Sequence, residues 1–231
     1  EGKDILTLDL DTLTYRPNKK ASFATLELTK TIEKPIDRFK VLVTGKDKAG
    51  DFYRKNFASM FQYCSNRIPE ITDAFYKIDD AMKAGFGWEN GPFEIWDAIG
   101  VEKGIELMKA EGYQPASWVT DMLASGNTSF YSIKDGATHF YSITNKKVEK
   151  IPGQDAFIIL NNIRESKKIW NNSDSIITDL GDGIINLEFT SKMNSIGAGV
   201  LQGINKAIDI AEKEYNGLVI GNQGTNFSVG A

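Results

Sequence analysis

Between Asp182 and Ile220 the hydrophobic period of the chain switches from two to about 3.6 and back, and this constrains the fold more than any other feature. Ile185, Leu187 and Phe189 alternate with polar neighbours, as in a half-buried strand. After a polar loop from Thr190 to Ser195, Ile196, Val200, Ile204, Ile208 and Ala211 recur at steps of three and four and line one face of a helix. Asn216-Gly217 suits a left-handed helix end, and Leu218-Val219-Ile220 a short buried strand. The stretch from Asp179 to Ala231 therefore reads as a βαβ unit followed by a glycine-bearing loop. Two strands and a helix bury too little surface to fold alone, so the chain is expected to be a piece of a longer protein. Glu1 at the first position, in place of methionine, fits the same expectation.

Gly197-Ala198-Gly199 with Gly203 admits another reading, a dinucleotide-binding fingerprint. That motif needs its glycines in a tight turn directly after the first strand and an acidic residue ending the second. Here the whole of Thr190 to Ile196 intervenes, the glycines lie within the helical stripe, and the second strand runs into Gly221-Asn222, so the fingerprint is disfavoured. An ordinary strand-end loop with spare glycines stays open as a further alternative.

The segment Phe227-Ser228-Val229-Gly230-Ala231, with Met193-Asn194-Ser195-Ile196 at the helix entrance, resembles the first oxyanion-loop segment of the enoyl-CoA hydratase (crotonase) superfamily. The resemblance implies that Ala231 donates its backbone N–H to the thioester oxygen of an acyl-CoA, with Gly230 and Asn194 beside the substrate. The physical logic is general. Negative charge builds on the carbonyl oxygen as water adds to an enoyl thioester, and preorganised N–H groups flanked by small residues stabilise it. The likeness covers only the last part of the chain. The family's second oxyanion donor and its acidic catalytic residues would lie further along.

Composition sets wide bounds. The 231 residues suit one large or two small domains, and 27 basic against 31 acidic residues leave a mild net charge of -4. The charges are interspersed, which argues against a nucleic-acid partner and against a polybasic membrane anchor. No apolar run reaches the ~20 residues of a membrane span and no signal peptide is evident, so no membrane association and a cytoplasmic location are expected. The lone cysteine, Cys64, rules out an internal disulfide framework and reads as a small buried side chain rather than a nucleophile.

Residues 1–47 read as an arm or linker. A short extended segment and turn are followed by a helix capped by Ser22, with Phe23, Leu26 and Leu28 on its apolar face. A second helix starts at Pro35, carries Ile36, Phe39 and Val43, and ends at Gly45. Residues 48–125 read as an all-α domain with a large aromatic core, including a helical run from Glu70 to Ala84 that carries Ile71, Phe75, Ile78 and Met82. Three segments there follow a pattern in order: Asn66-Arg67-Ile68, then Ile78 to Gly87, then Gly91-Pro92-Phe93-Glu94-Ile95-Trp96-Asp97-Ala98-Ile99-Gly100. They resemble the C-terminal helical domain of 3-hydroxyacyl-CoA dehydrogenases, departing from it at Trp88-Glu89-Asn90. The resemblance implies that Asn66 stands near the substrate and near a catalytic histidine carried by a separate NAD-binding domain. With no such domain before it, this helical domain matches the second, non-catalytic copy found in multifunctional relatives. Trp88 and Phe93 are candidates to line an acyl or domain-interface groove; pure core packing by Trp88, Phe93 and Trp96 is the alternative. For Asn66 the alternative is a polar helix-end residue.

Residues 126–152 read as a β-hairpin, with Phe130-Tyr131-Ser132-Ile133 and Phe140-Tyr141-Ser142-Ile143 flanking Asp135-Gly136. The single histidine, His139, has no base partner in its flanks, and without a second histidine the usual His-based metal clusters are excluded. Asn161 to Trp170, though polar, reads as a helix crossing between domains. Taken together, the fold expectation is α+β multidomain: an all-α dehydrogenase C-terminal-like domain, a β-hairpin, and over 153–231 a partial α/β crotonase-like βαβ unit. The resemblances imply a parent that oxidises 3-hydroxyacyl-CoA with NAD and hydrates 2-enoyl-CoA, the segment alone being inactive. Its partners would be the acyl-CoA substrate, the missing NAD-binding and remaining hydratase domains, and a second copy through the helical domain. A structural module serving only dimerisation or domain docking is the alternative class.

Overall fold

The computed structural model describes residues 5–19, 21–32, 34–224 and 226–231. The chain divides into two compact units, Glu1–Phe130 with Ile143–Lys146, and Tyr131–Ser142 with Lys147–Ala231. Glu1 and Lys20 lie outside the described residues.

The first unit opens with an antiparallel hairpin, β1 (Leu6–Leu8) and β2 (Tyr15–Pro17), in which Leu6 pairs with Pro17 and Leu8 with Tyr15. Seven helices follow: α1 (Ala24–Thr29), α2 (Pro35–Thr44), α3 (Lys48–Asn66), α4 (Tyr76–Phe86), α5 (Pro92–Ile99), α6 (Val101–Ala110) and α7 (Ser117–Ala124). Pro35 does start α2 and Gly45 follows its last residue. The stretch from α1 to Gly45 is no free arm, because α2 packs on α3 and α5 and buries Leu42 and Val43. Ser22 does not cap α1. The carboxylate of Asp47 accepts from the backbone N–H (2.9 Å) and the hydroxyl (2.7 Å) of Thr25, and also from the N–H of Gly50 at the start of α3 (3.0 Å). These donors hold the Asp47 carboxyl down at about 2, the Thr25 backbone N–H foremost. Leu28 points outward, so the apolar face expected for α1 is not all buried. Helix α4 begins six residues after Glu70, and Ile71 is exposed in the turn before it.

An aromatic cluster fills the core of this unit. Phe61 stacks on Trp96 at 4.7 Å between ring centroids, Phe75 on Trp118 at 5.9 Å, and Phe130 meets both Phe93 and Trp96 edge-on at 5.1 and 5.0 Å. The buried indole of Trp96 donates to the Val101 carbonyl at 3.0 Å, which satisfies its polar edge. Gly104 lets α6 approach, since a Cβ there would stand 2.0 Å from the Trp96 Nε1.

The second unit carries two sheets. The first has strand order β3 (Tyr131–Lys134), β4 (Ala137–Ser142), β5 (Lys147–Lys150). Asp135-Gly136, both with positive φ, turns β3 into β4 with Lys134 opposite Ala137. The expected hairpin thus gains a third strand, β5, whose Lys and Glu residues carry no apolar alternation. A one-turn helix, α8 (Leu160–Ile163), precedes the four-stranded sheet β6 (Lys168–Asn171), β7 (Ser175–Gly181), β8 (Ile184–Phe189) and β9 (Gly217–Ile220), in that order. Asn161 to Trp170 is therefore one helical turn and then a strand, not a crossing helix. Strands β6, β7 and β8 are antiparallel, and β8 and β9 run parallel with Ile184 opposite Gly217 and Leu187 opposite Ile220.

Helix α9 (Ala198–Glu214) joins β8 to β9 and packs on β7, β8 and β9, so the expected βαβ unit is present. Its core consists of Ile177, Ile185, Leu187, Phe189, Val200 and Ala207. Ile208 lies on the exposed side of the helix, whereas Gly203 faces the sheet: a Cβ there would stand 2.2 Å from Ser175 Oγ and 3.3 Å from Leu187 Cδ1. The helix does not end in a left-handed cap. Tyr215 is already extended, Asn216 donates its N–H to the Gly183 carbonyl at 2.7 Å, and Gly217 is the first residue of β9.

Candidate functional site

The loop after β9 is built by asparagine side chains that stand in for backbone. The parallel ladder runs to the N–H of Gly221, which donates to Leu187 O at 3.1 Å. One step on, the N–H of Phe189 finds Asn222 Oδ1 at 2.7 Å, and Asn222 Nδ2 donates to the Phe227 carbonyl at 2.7 Å. At the entrance to α9, Met193 and Asn194 both adopt positive φ. Asn194 Nδ2 donates to the Asn226 carbonyl at 2.9 Å, and the N–H of Ile196 donates to the Gly230 carbonyl at 2.8 Å. Gly230 itself has φ of 94°, open to glycine at little cost, and its N–H donates to Ser228 Oγ at 3.0 Å.

Asn194 and Gly230 are thus both tied at the entrance of α9, Asn194 through the Asn226 carbonyl and Gly230 through the Ile196 N–H, and Ala231 follows Gly230. Asn194 acts there as a tie between backbone segments, and Ala231 is exposed. Sequence reasoning passed over Asn222. Its only signal was an amide residue directly after the glycine that ends a buried strand.

The glycines of α9 do not fit a dinucleotide. A Cβ on Gly199 would meet Asp174 Oδ2 at 2.1 Å, and Gly203 is pressed on Ser175, so these glycines serve helix-to-sheet contact. Arg164 clamps the buried Glu188 carboxylate at 2.8 and 2.6 Å, and this hydrogen bonding raises the Arg164 pKa.

In the helical unit the candidate residues do not converge. Asn66 is exposed at the end of α3, and its amide folds back to the Gln62 carbonyl of its own helix at 2.8 Å. Phe93 has no accessible surface and sits among Phe75, Trp96, Trp118 and Phe130, so it cannot touch a substrate in this conformation. Trp88 is partly exposed beyond α4. The spacing from Ile78 to Gly100 has a structural explanation. The fully buried Asp79 accepts from the N–H groups of Phe93 and Glu94 at 2.9 and 3.0 Å, capping α5 from another helix. Glu94 returns to the Gly91 N–H at 2.8 Å and to Lys83 at 2.7 Å, and Asp97 accepts from the Phe130 N–H at 2.7 Å.

A separate cavity of about 540 Å³ opens beside α3 and α4, lined by Tyr63, Cys64, Arg67, Ile71, Lys77 and Met82 among others. Burial pushes the Cys64 thiol up to about 11, with the nearby Asp79 carboxylate adding to it, so a thiolate nucleophile is disfavoured there. His139 lies on β4 with Nδ1 3.1 Å from the Ala137 carbonyl. Among the described residues no His, Cys, Asp and Glu cluster is placed to hold a metal ion, and no helix is long and apolar enough to cross a membrane.

Comparison with known proteins finds three relatives of known name. Over its whole length the chain is 40% identical to a protein of Bacillus subtilis (strain 168) named "Probable 3-hydroxyacyl-CoA dehydrogenase", of which it covers 29%. Two more distant relatives, from Rickettsia felis and Rickettsia prowazekii, are each named "Putative fatty acid oxidation complex trifunctional enzyme". They are 25% identical over 79% and 100% of this chain, which covers 22% and 28% of them. The chain thus spans less than a third of the length of the curated relatives it matches. No family model and no solved structure matches it.

Proposed function

We propose that the chain is an internal segment of a bifunctional β-oxidation enzyme that oxidises 3-hydroxyacyl-CoA with NAD and hydrates 2-enoyl-CoA. The helical unit corresponds to a dehydrogenase C-terminal domain, and the β8–α9–β9 unit to the start of a crotonase-like domain. The observation that carries the hydratase half is the Gly230–Ala231 turn, held against the entrance of α9 by the Ile196-to-Gly230 hydrogen bond. Similarity to the Bacillus protein over the full chain supports the dehydrogenase half. NAD would be bound by a domain outside this segment, since the glycines of α9 are occupied in packing. The chemistry NAD supplies, accepting a hydride, involves none of the residues described above. A cytoplasmic location goes with this function.

In the hydratase half the acyl thioester would lie with its carbonyl oxygen at the N–H of Ala231, the remaining donor and the acids coming from elsewhere in the parent. The test is Ala231→Pro in the full-length protein, which removes that N–H. Hydration of a 2-enoyl-CoA should fall by about 10²–10³ in kcat while 3-hydroxyacyl-CoA oxidation is retained. Unchanged hydration refutes the assignment. A second role for the first unit, as a docking or dimerisation scaffold, is favoured by its hairpin, where Leu6, Leu8 and Tyr15 are exposed. Titration of the segment with an acyl-CoA separates the two, since a pure scaffold gives no saturable response.

A further inference from the structure

We infer that Asn222 is a positioning residue for the oxyanion loop, setting where the Ala231 N–H points by fixing the backbone at Phe227; this rests on the function proposed above for that loop. The hydrogen bonds of the parallel ladder between β8 and β9 end at the Gly221 N–H, where the chain leaves the sheet to form the loop. At that point the next buried donor of β8, the Phe189 N–H, would lose its acceptor, at a cost of about 1–3 kcal/mol. The side chain of Asn222 supplies the acceptor at 2.7 Å, so the backbone is free to turn.

Its other amide atom reaches forward to the Phe227 carbonyl, also at 2.7 Å. A backbone N–H on one side and a backbone C=O on the other decide which atom is oxygen and which is nitrogen. No other side chain of this size both accepts and donates through a rigid planar group in this way. Aspartate keeps the acceptor and loses the donor, and alanine loses both. The tie is reinforced by the Phe227 ring, whose centroid lies 6.1 Å from that of Phe189. Downstream, the Gly230 carbonyl is held by Ile196. The loop is thus anchored at Phe227 and at Gly230, and Asn222 is the anchor that transmits the position of the sheet. Displacement of an oxyanion donor by a fraction of an ångström lowers catalysis without abolishing binding.

The experiment uses the full-length protein carrying Asn222→Asp or Asn222→Ala, alongside Ala231→Pro. Two readouts are taken: steady-state hydration of a 2-enoyl-CoA, and the infrared stretch of a ¹³C-labelled carbonyl in a bound saturated acyl-CoA, which reports polarisation without turnover. Both Asn222 variants should lower kcat about tenfold or more, with KM changed less than about threefold. The bound carbonyl frequency should move back toward its value in water. Asn222→Asp keeps the Phe189 contact and so keeps the test alive if the alanine variant fails to fold. Unchanged kcat and frequency in the Asn222 variants, with hydration lost in Ala231→Pro, overturn the positioning role and leave the loop assignment standing. Hydration unaffected by Ala231→Pro overturns the loop assignment and this inference with it.

Discussion

Asp79→Ala is the perturbation whose size can be worked most directly from the structure. The carboxylate has no accessible surface and accepts from two backbone N–H groups at 2.9 and 3.0 Å in the first turn of α5. Hydrogen bonds to a charged group contribute about 1.5–3 kcal/mol each, and truncation leaves both donors buried and unpaired. Against this, removing the carboxylate also removes its own desolvation cost of several kcal/mol. The net loss should be about 3 kcal/mol, a large share of the ~5–15 kcal/mol that holds a domain together. Asp79→Asn keeps one acceptor but turns a donor toward the second N–H, and should lose about half as much. Urea titration followed by tryptophan fluorescence measures both, because Trp96 and Trp118 stack within the same core. An alanine variant within about 0.5 kcal/mol of the parent would refute the capping role. So would an asparagine variant as unstable as alanine.

Other expectations follow from the same kind of geometry. Gly203→Ala places a Cβ 2.2 Å from Ser175 Oγ and should destabilise the second unit by about 1–3 kcal/mol in denaturant titration. Arg164→Met orphans the buried Glu188 carboxylate, with an expected loss of about 3–5 kcal/mol in the same assay. The Cys64 thiol, raised from 9.0 to about 11, keeps its proton longer when folded than when unfolded. Its contribution to stability is therefore complete below pH 9 and lost as pH rises toward 11. Cys64→Ala should remove that part of the pH dependence, and a thiol reagent at neutral pH should react more slowly with the native chain than with the unfolded one.

The parts of the fold legible in the sequence were those in which one face is apolar and the other polar. Strand β8 and helix α9 announced themselves by period, and Asp135-Gly136 by turn chemistry. What stayed hidden depends on partners distant in sequence. No local pattern shows that Asp47 caps α1 in place of Ser22, or that Asp79 caps α5. Strand β5 carries only Lys, Val and Glu, so its pairing with β4 is set by backbone rather than by apolar alternation. Strand β6 follows a polar run, and a bulge between Lys168 and Trp170 blurs its alternation. The loop motif singled out Gly230, Ala231 and Asn194 but not Asn222, whose side chain bridges the Phe189 N–H and the Phe227 carbonyl. A side chain substituting for a ladder step leaves no periodic trace.

Strand β9 borders β8 on one side only among the described residues, and its Val219 and Ile220 are 44% and 40% exposed. The backbone amides along its other flank form a ready template for a further strand. A preparation of these 231 residues should accordingly grow cloudy as it is concentrated, by one molecule adding to the next along that flank, and the substitution Val219→Lys should keep it clear.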